Sequence, residues 1–322
     1  MASTSYVAFP NLMNQLKNLN ITLLAGGVGG AKLADGLAQL LPAGNLTVIV
    51  NTGDDFQHCG LTICPDLDTV MYTLSGRANP ETGWGRAGES WHTLDEVAKL
   101  GGPAWFRLGD LDLATHLTRT HWLAAGRTLT QTTLELSRQL GIQHPILPMS
   151  NQPAPTLIET EQGLLPFQTY FVEQRWQPVV KKIQLPADVR ASREAMFALE
   201  KSDIVILAPS NPFVSLDPIL NVYPIRAMLA DLPEMVIAVS PIVGGQAVKG
   251  PAAKMMSELG FIPSARAFLD YYSDLINVYV YDIQDQEMPI DIPHLCLNTL
   301  MFNQTERVRL AHQILTFITE QL

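Results

Sequence analysis

The stretch Ile21–Leu37, "ITLLAGGVGGAKLADGL", runs from a short apolar, β-rich segment into apolar residues at helical spacing, through a bend carrying Gly26, Gly27, Gly29 and Gly30. A second apolar strand, "NLTVIVNTGDD", follows it. Strand, tight glycine turn, helix and strand in that order open a parallel βαβ unit. The expected class is therefore α/β, a Rossmann-like, mostly parallel sheet flanked by helices. Three later runs, "SDIVILAPSNP", "PEMVIAVSPIVGG" and "LINVYVYD", add strands, and polar or glycine-rich residues follow them. In such sheets ligands sit beyond the carboxyl ends of the strands.

Between the strands, "DTVMYTLSG", "SWHTLDEVAKLG", "DLATHLTRTHWLAAG" and "TLTQTTLELSRQLG" read as helices. "TLIETEQGLLPFQTYFVEQRW" reads instead as short strands around a glycine turn, an antiparallel hairpin. Residues 145–186 are accordingly expected to form a smaller inserted helical and antiparallel lobe on a single α/β domain spanning 21–322. Residues 1–20 read as a loosely attached extension ahead of the first strand, without the basic start and continuous apolar centre of a signal peptide.

A net charge of −10 argues against nucleic acid or an anionic membrane as partner, because such surfaces need clustered Lys and Arg. No window approaches the roughly 18 apolar residues of a membrane span. The three cysteines, Cys59, Cys64 and Cys296, give neither a disulfide framework nor a CxxC pair, which fits reduced thiols in the cytoplasm. A small phosphorylated ligand remains compatible with the acidity, since backbone amides and a metal bind it locally.

The glycine bend satisfies neither standard phosphate motif. In a GxGxxG reading Lys32 stands at the third glycine, and in a P-loop reading Lys32 is preceded by Ala31 and followed by Leu33. What remains is a helix N-terminus with bare amides and a nearby cation, which suits a phosphate; the bland alternative is a tight turn without a ligand. Asn51, Thr52, Asp54 and Asp55 end the second strand, and Asp66 and Asp68 precede a helix. Such clustered carboxylates suit Mg2+, whose shell is usually shared with substrate phosphates, whereas a single Asp would need only to cap a helix. "WFRLGDLDLATH" adds Arg107, Asp110, Asp112 and His116, of which His116 on its own reads as a packed histidine. Ser210, Asn211 and Ser215 can hydrogen-bond a nucleobase or phosphate. Gly244, Gly245, Lys249 and Gly250 form a second candidate anion turn, with Lys254 as a further cation.

Taken together, "GGVGGAKL", "NTGDD", "CPDLDTVMYTL", "LGDLDLATH", "ILPMS", "PSNPFVSLDPI" and "VSPIVGG" with "KGPA" resemble the 2-phospho-lactate transferase family of coenzyme F-420 biosynthesis, bacterial members included. The resemblance implies transfer of a phospho-lactyl or phospho-enolpyruvyl group from a guanosine diphosphate-linked donor to the ribityl hydroxyl of the deazaflavin Fo. GMP and F-420-0, or its dehydro form, are the products. It also implies a Mg2+ requirement, a Rossmann-like core and a homodimer. By motif match, the family's two Fo-contacting positions fall on Asp68 and Arg107. On that basis Asp68 orients or deprotonates the acceptor hydroxyl, with Asp55 as the second carboxylate near the metal. Arg107 holds the acceptor or the developing charge, and the glycine turn with Lys32 lies at the acceptor and diphosphate. Ser210, Asn211 and the Gly244–Gly250 loop then hold the guanosine. The N-terminal extension is not part of the family pattern. The competing reading is a non-catalytic nucleotide-sugar-binding regulator of the related gluconeogenesis-factor family, from which "PDLDT" and "RLGDLDLATH" separate this chain. A nicotinamide-dependent oxidoreductase is disfavoured by Lys32.

Overall fold

The first strand, β1 (Ile21–Ala25), lies in the interior of a seven-stranded sheet, where every one of its side chains is apolar or a buried threonine. The computed structural model describes residues 15–231 and 235–321. Residues 1–14 of the extension lie outside these. Within 15–20, Leu16 and Leu19 are buried in the core, and the Asn45 amide donates to the Leu16, Lys17 and Leu19 carbonyls at 3.3, 3.1 and 2.9 Å. This part of the extension is anchored rather than loose.

From β1 the chain passes through α1 (Gly27–Ala38) to β2 (Leu46–Val50), which pairs parallel to β1 with Ile21 opposite Leu46. A small hairpin, β3 (Phe56–His58) and β4 (Leu61–Ile63), precedes α2 (Pro65–Leu74). Helices α3 (His92–Lys99), α4 (Asp110–Ala124) and α5 (Leu129–Gln139) then lead to β5 (Ile146–Pro148). Although 146–148 falls inside the stretch expected to form the lobe, β5 pairs parallel to β2 and belongs to the main sheet. Its three residues are all buried, which a free-standing hairpin would not achieve. The separate antiparallel sheet, ordered β7-β6-β8, starts later, with β6 (Leu157–Thr160), β7 (Gly163–Pro166) and β8 (Val180–Gln184).

After α6 (Arg193–Glu200) the chain returns to the other side of β1 as β9 (Ile204–Leu207), with Ile21 now also opposite Ile204. Helices α7 (Asp217–Asn221) and α8 (Ile225–Asp231), then β10 (Met235–Val239), carry the sheet outward. A two-residue hairpin, β11 (Ile242–Val243) and β12 (Gln246–Ala247), leads into α9 (Ala252–Glu258) and α10 (Ala265–Tyr271). Strands β13 (Val278–Asp282) and β14 (His294–Leu297) complete the order β14-β13-β10-β9-β1-β2-β5, with every pairing parallel. The last helix, α11 (Gln304–Gln321), packs on α1.

Strand residues alternate between two cores, as a pleated sheet covered on both sides requires. Leu23, Val48, Ile206, Ile237 and Val280 face α1, α2 and α11, while Leu24, Ile49, Leu207, Ala238 and Tyr279 face α6, α7, α8 and α10. Strand order reverses at β1, so β1 and β9 flank the point where successive crossovers diverge and leave a crevice at their carboxyl ends.

Candidate active site at the sheet switch point

A cavity of about 540 Å³ opens beyond the ends of β1 and β9, a size that suits a nucleotide- or flavin-sized ligand. Its floor is the turn from β1 into α1. Gly27 has φ +63°, and a Cβ on Gly29 would lie 2.2 Å from the Pro209 carbonyl oxygen. A Cβ on Gly26 would stand 2.6 Å from that of Ser215, and one on Gly30 2.8 Å from that of Ala25. The chain's own packing therefore already demands the glycines, bringing α1 against the β9 loop. Ser210 closes that contact: its Oγ accepts from the Gly26 N–H at 3.2 Å and donates to the Gly26 carbonyl at 2.8 Å. No side chain caps α1, whose first residues, Gly27, Val28 and Gly29, line the cavity with Lys32, the Gly27 N–H being bonded to Asp66.

The acidic wall comes from the end of β2 and the start of α2. Asn51 does not line the cavity but organises two residues that do: its amide donates to Asp66 at 2.9 Å and to Asp54 at 3.3 Å, while its oxygen accepts from the Gly53 N–H at 2.7 Å. Gln168 donates to the other oxygen of Asp54 at 3.1 Å. Burial, countered by hydrogen bonds from Asn51 and the Gly27 amide, pushes Asp66 up to about 6. Burial, reinforced by Asp66 and Asp55, raises Asp54 well above the carboxylate range. Neither Asp66 nor Asp68 caps α2, whose N-cap, Cys64, makes no side-chain capping bond. A pair of desolvated carboxylates sharing one amide is an oxygen-rich seat for a hard cation.

Opposite the acids stand two lysines. Burial lowers Lys32, and Arg307 and Lys249 lower it further; burial alone lowers Lys249, whose ammonium donates to the Thr82 carbonyl. The remaining wall is aromatic, with Trp84, Trp105, Phe106, Phe167 and Phe171 lining the cavity.

A family model described as 2-phospho-L-lactate transferase CofD matches residues 21–292. The chain belongs to the CofD family. It is 38% identical over 266 residues to the 2-phospho-L-lactate transferase of Methanosarcina barkeri, covering 82% of this chain and 85% of that one. It is 40% identical over 278 residues to the phosphoenolpyruvate transferase of Streptomyces coelicolor, covering 84% and 87%, and 42% identical over 278 residues to that of Kitasatospora aureofaciens, covering 83% and 86%. A crystal structure of a UPF0052-family protein from Bacillus halodurans superposes with TM-score 0.59 at 17% identity, covering 93% of this chain and 99% of that one; this likeness is one of fold.

In this CofD-family chain the cavity gathers Gly26, Gly27, Gly29, Lys32, Asp54, Asp68, Arg107, Ser210, Asn211, Ser215, Lys249 and Gly250. Other residues singled out from the sequence lie elsewhere. Gly30 and Thr52 are behind the wall. Asp55, adjacent in sequence to Asp54, is hydrogen-bonded to Cys64 and does not line the cavity. Asp110 accepts from Ser90 Oγ at 2.6 Å and from the His92 and Thr93 amides at 3.1 Å, so it holds the start of α3. Gly244 and Gly245, with φ +56° and +75°, form the tight turn between β11 and β12, which requires two positive φ values. Lys254 is committed to Glu258 at 2.6 Å. Asn211 spends its side-chain oxygen on the Phe213 amide at 3.0 Å. Arg107 lies at the rim, its guanidinium 4.2 Å over the Trp91 ring.

Two residues of the site carry more than their sequence context suggests. Arg119, fully buried on α4, bonds both oxygens of Asp68. His116, also on α4, lines the cavity next to Asp112, whose Oδ1 accepts from the Tyr72 hydroxyl at 2.7 Å. Asp112, His116 and Arg119 recur at i, i+4 and i+7, one helical face, and that spacing is the signal from which Arg119 is readable. Asp68, Asp112 and His116 bring ligand atoms within 4.8 Å of one another, close enough to hold a metal ion.

Proposed function

We propose that this chain transfers a 2-phospho-lactyl or phospho-enolpyruvyl group from a guanosine diphosphate-linked donor to the ribityl hydroxyl of the deazaflavin Fo, releasing GMP and F-420-0 or its dehydro form. The observation that carries this reading is the pairing, in one cavity at the switch point, of the Asp54–Asp66 carboxylates with Lys32 and Lys249 beneath an aromatic wall. The family membership and the names of its relatives support it from a second side.

In the proposed reaction the hydroxyl oxygen bonds to the phosphorus that bears the acyl group, and the bond from that phosphorus to the bridging oxygen of GMP breaks. Such transfers have loose transition states, so positioning and charge neutralisation supply most of the rate. The α1 amides, Lys32 and Lys249 take the diphosphate and the charge that builds on departing GMP. Asp68 accepts a hydrogen bond from the attacking hydroxyl and takes its proton late, once bonding to phosphorus has acidified it. Trp105 and Phe106 offer ring faces to the deazaflavin, and Arg107 closes the rim. Mg2+ is the metal we assign, held by Asp54 and Asp66 rather than by Asp55 and Asp68, and when bound it neutralises diphosphate charge. We extend the proposal to a cytoplasmic homodimer, which sizing by light scattering tests.

Incubation with Fo, Mg2+ and each guanylylated 2-phospho acid tests the reading. It requires GMP release in step with a deazaflavin product whose mass has grown by the phospho-acyl group. Absence of product with the lactyl, enolpyruvyl and glyceryl donors alike overturns it.

A further inference from the structure

The arrangement of His116, Asp112 and Arg119 decides where the imidazole proton sits. Arg119 NH1 is 3.1 Å from His116 Nδ1 while its guanidinium holds both oxygens of Asp68. A guanidinium has only donors and stays charged at any working pH. Nδ1 therefore accepts, and the ring of neutral His116 carries its hydrogen on Nε2, a tautomer assigned from its partners. Nε2 is buried and meets no acceptor in good hydrogen-bond geometry, its nearest being Asp112 Oδ1 at 3.3 Å. Both residues line the cavity, and His116 is 1% exposed. An unpaired buried N–H directed into a cavity is a binding element awaiting an acceptor.

From this geometry we infer that His116 and Asp112 form a donor–acceptor pair that holds a hydroxyl of the acceptor substrate's polyhydroxylated side chain, and so selects acceptors carrying that hydroxyl. The inference builds on the transferase reading above. A hydroxyl accepts and donates at once, which a carbonyl or an ammonium group does not. It takes the His116 Nε2 hydrogen on its lone pair and gives its own to the Asp112 carboxylate. Asp68 lies on the same wall, with His116 Nδ1 3.7 Å from its Oδ2, so one chain of hydroxyls can run from this pair to the attacking position. The same tautomer makes His116 a poor metal ligand, because a metal on Nε2 moves the proton to Nδ1 and sets it against an Arg119 N–H. It also removes His116 as general base, since protonated Nδ1 would meet the guanidinium.

Kinetics with separate variation of acceptor and donor test the pair. His116→Ala is expected to raise the acceptor KM at least tenfold and leave the donor KM within twofold. His116→Gln, whose amide reaches the position of Nε2 as a donor, is expected to recover all but about threefold of that loss with the pH profile of kcat unchanged. On the wild-type enzyme, acceptor analogues each lacking one side-chain hydroxyl should include one that binds about tenfold more weakly and loses nothing further with His116→Ala. Imidazole 15N spectra should place the His116 proton on Nε2. An unchanged acceptor KM in His116→Ala, loss of the acid limb of the profile in His116→Gln, or an Nδ1–H tautomer overturns the inference while leaving the transferase reading intact. Absence of turnover in the wild type with all three donors removes both.

Discussion

Arg119 closes on both carboxylate oxygens of Asp68, with NH1 3.0 Å from Oδ2 and NH2 on Oδ1, and neither residue has more than a trace of exposed surface. An ion pair so buried is costly to break from one side, because the survivor is left as an unpaired charge. Arg119→Met is expected to lower unfolding stability by about 3–5 kcal/mol. The double variant Arg119→Met with Asp68→Asn should regain more than half of that loss, since it removes the stranded charge. Denaturant unfolding of Arg119→Met, Asp68→Asn and the double variant checks this; a double loss equal to the sum of the single losses would mean that the pair contributes no coupling.

In the proposed function the metal would be held by Asp54 and Asp66 rather than by Asp55. Asp54→Asn or Asp66→Asn should raise the Mg2+ concentration for half-maximal GMP release by tenfold or more, whereas Asp55→Asn should leave it within twofold. Mg2+ titrations of the three variants decide between the carboxylates.

Both acids of that pair have folded pKa values above their unfolded ones. The folded protein then binds more protons than the unfolded chain between the ordinary Asp value and about 6 for Asp66, so metal-free stability falls as pH rises through that window. Each pH unit there is worth about 1.4 kcal/mol per group. Mg2+ binds the ionised pair, so its affinity should increase over the same interval and offset the loss. Thermal melts from pH 4 to pH 7, with and without the ion, test both signs. Asp66→Asn should flatten the metal-free slope.

Lys32, partly buried, and Lys249, exposed, both line the cavity, and the proximity of Lys249 helps to lower Lys32. A charge-assisted hydrogen bond to phosphate is worth about 1.5–3 kcal/mol, so Lys32→Met and Lys249→Met should each raise the donor KM roughly tenfold or more. The acceptor KM should hold within twofold for both.

The glycine bend makes a contrasting pair. Gly29→Ala sets a Cβ against the Pro209 carbonyl and must push α1 off the β9 loop. It should lower stability and the affinity for guanosine diphosphate together. Gly27→Ala meets only an Asp66 oxygen at 3.8 Å, so its cost is the positive φ, about 1–2 kcal/mol. Calorimetric titration with guanosine diphosphate beside thermal melts separates the two effects.

Five of the seven strands of the main sheet, β1, β2, β9, β10 and β13, were legible because each is a largely apolar run ending in polar or glycine-rich residues, as buried parallel strands must be, whereas the short β5 and β14 were not. The β6–β7 hairpin was legible from its Gly163 turn. The lobe's start was not, since the three residues of β5 carry too little pattern to separate a sheet edge from a hairpin arm. At the site, residue types on the strand-end loops pointed to the cavity, but the direction of individual side chains did not follow. Asp54 and Asp55 are equivalent in sequence, and only the former lines the cavity. Gly244 and Gly245 resemble an anion turn yet are spent on closing a hairpin. His116 reads as core packing until Arg119, seven residues beyond Asp112, supplies the partner that fixes its proton.

Crystals soaked with guanosine diphosphate and Mn2+ in place of Mg2+, read by anomalous scattering, test most directly whether the switch-point cavity is where the transfer occurs. The ion should lie between Asp54 and Asp66, with the diphosphate against the α1 amides, Lys32 and Lys249. An ion bound at Asp68, Asp112 and His116 would move the metal within the cavity, whereas a nucleotide seated away from the ends of β1 and β9 would contradict the claim.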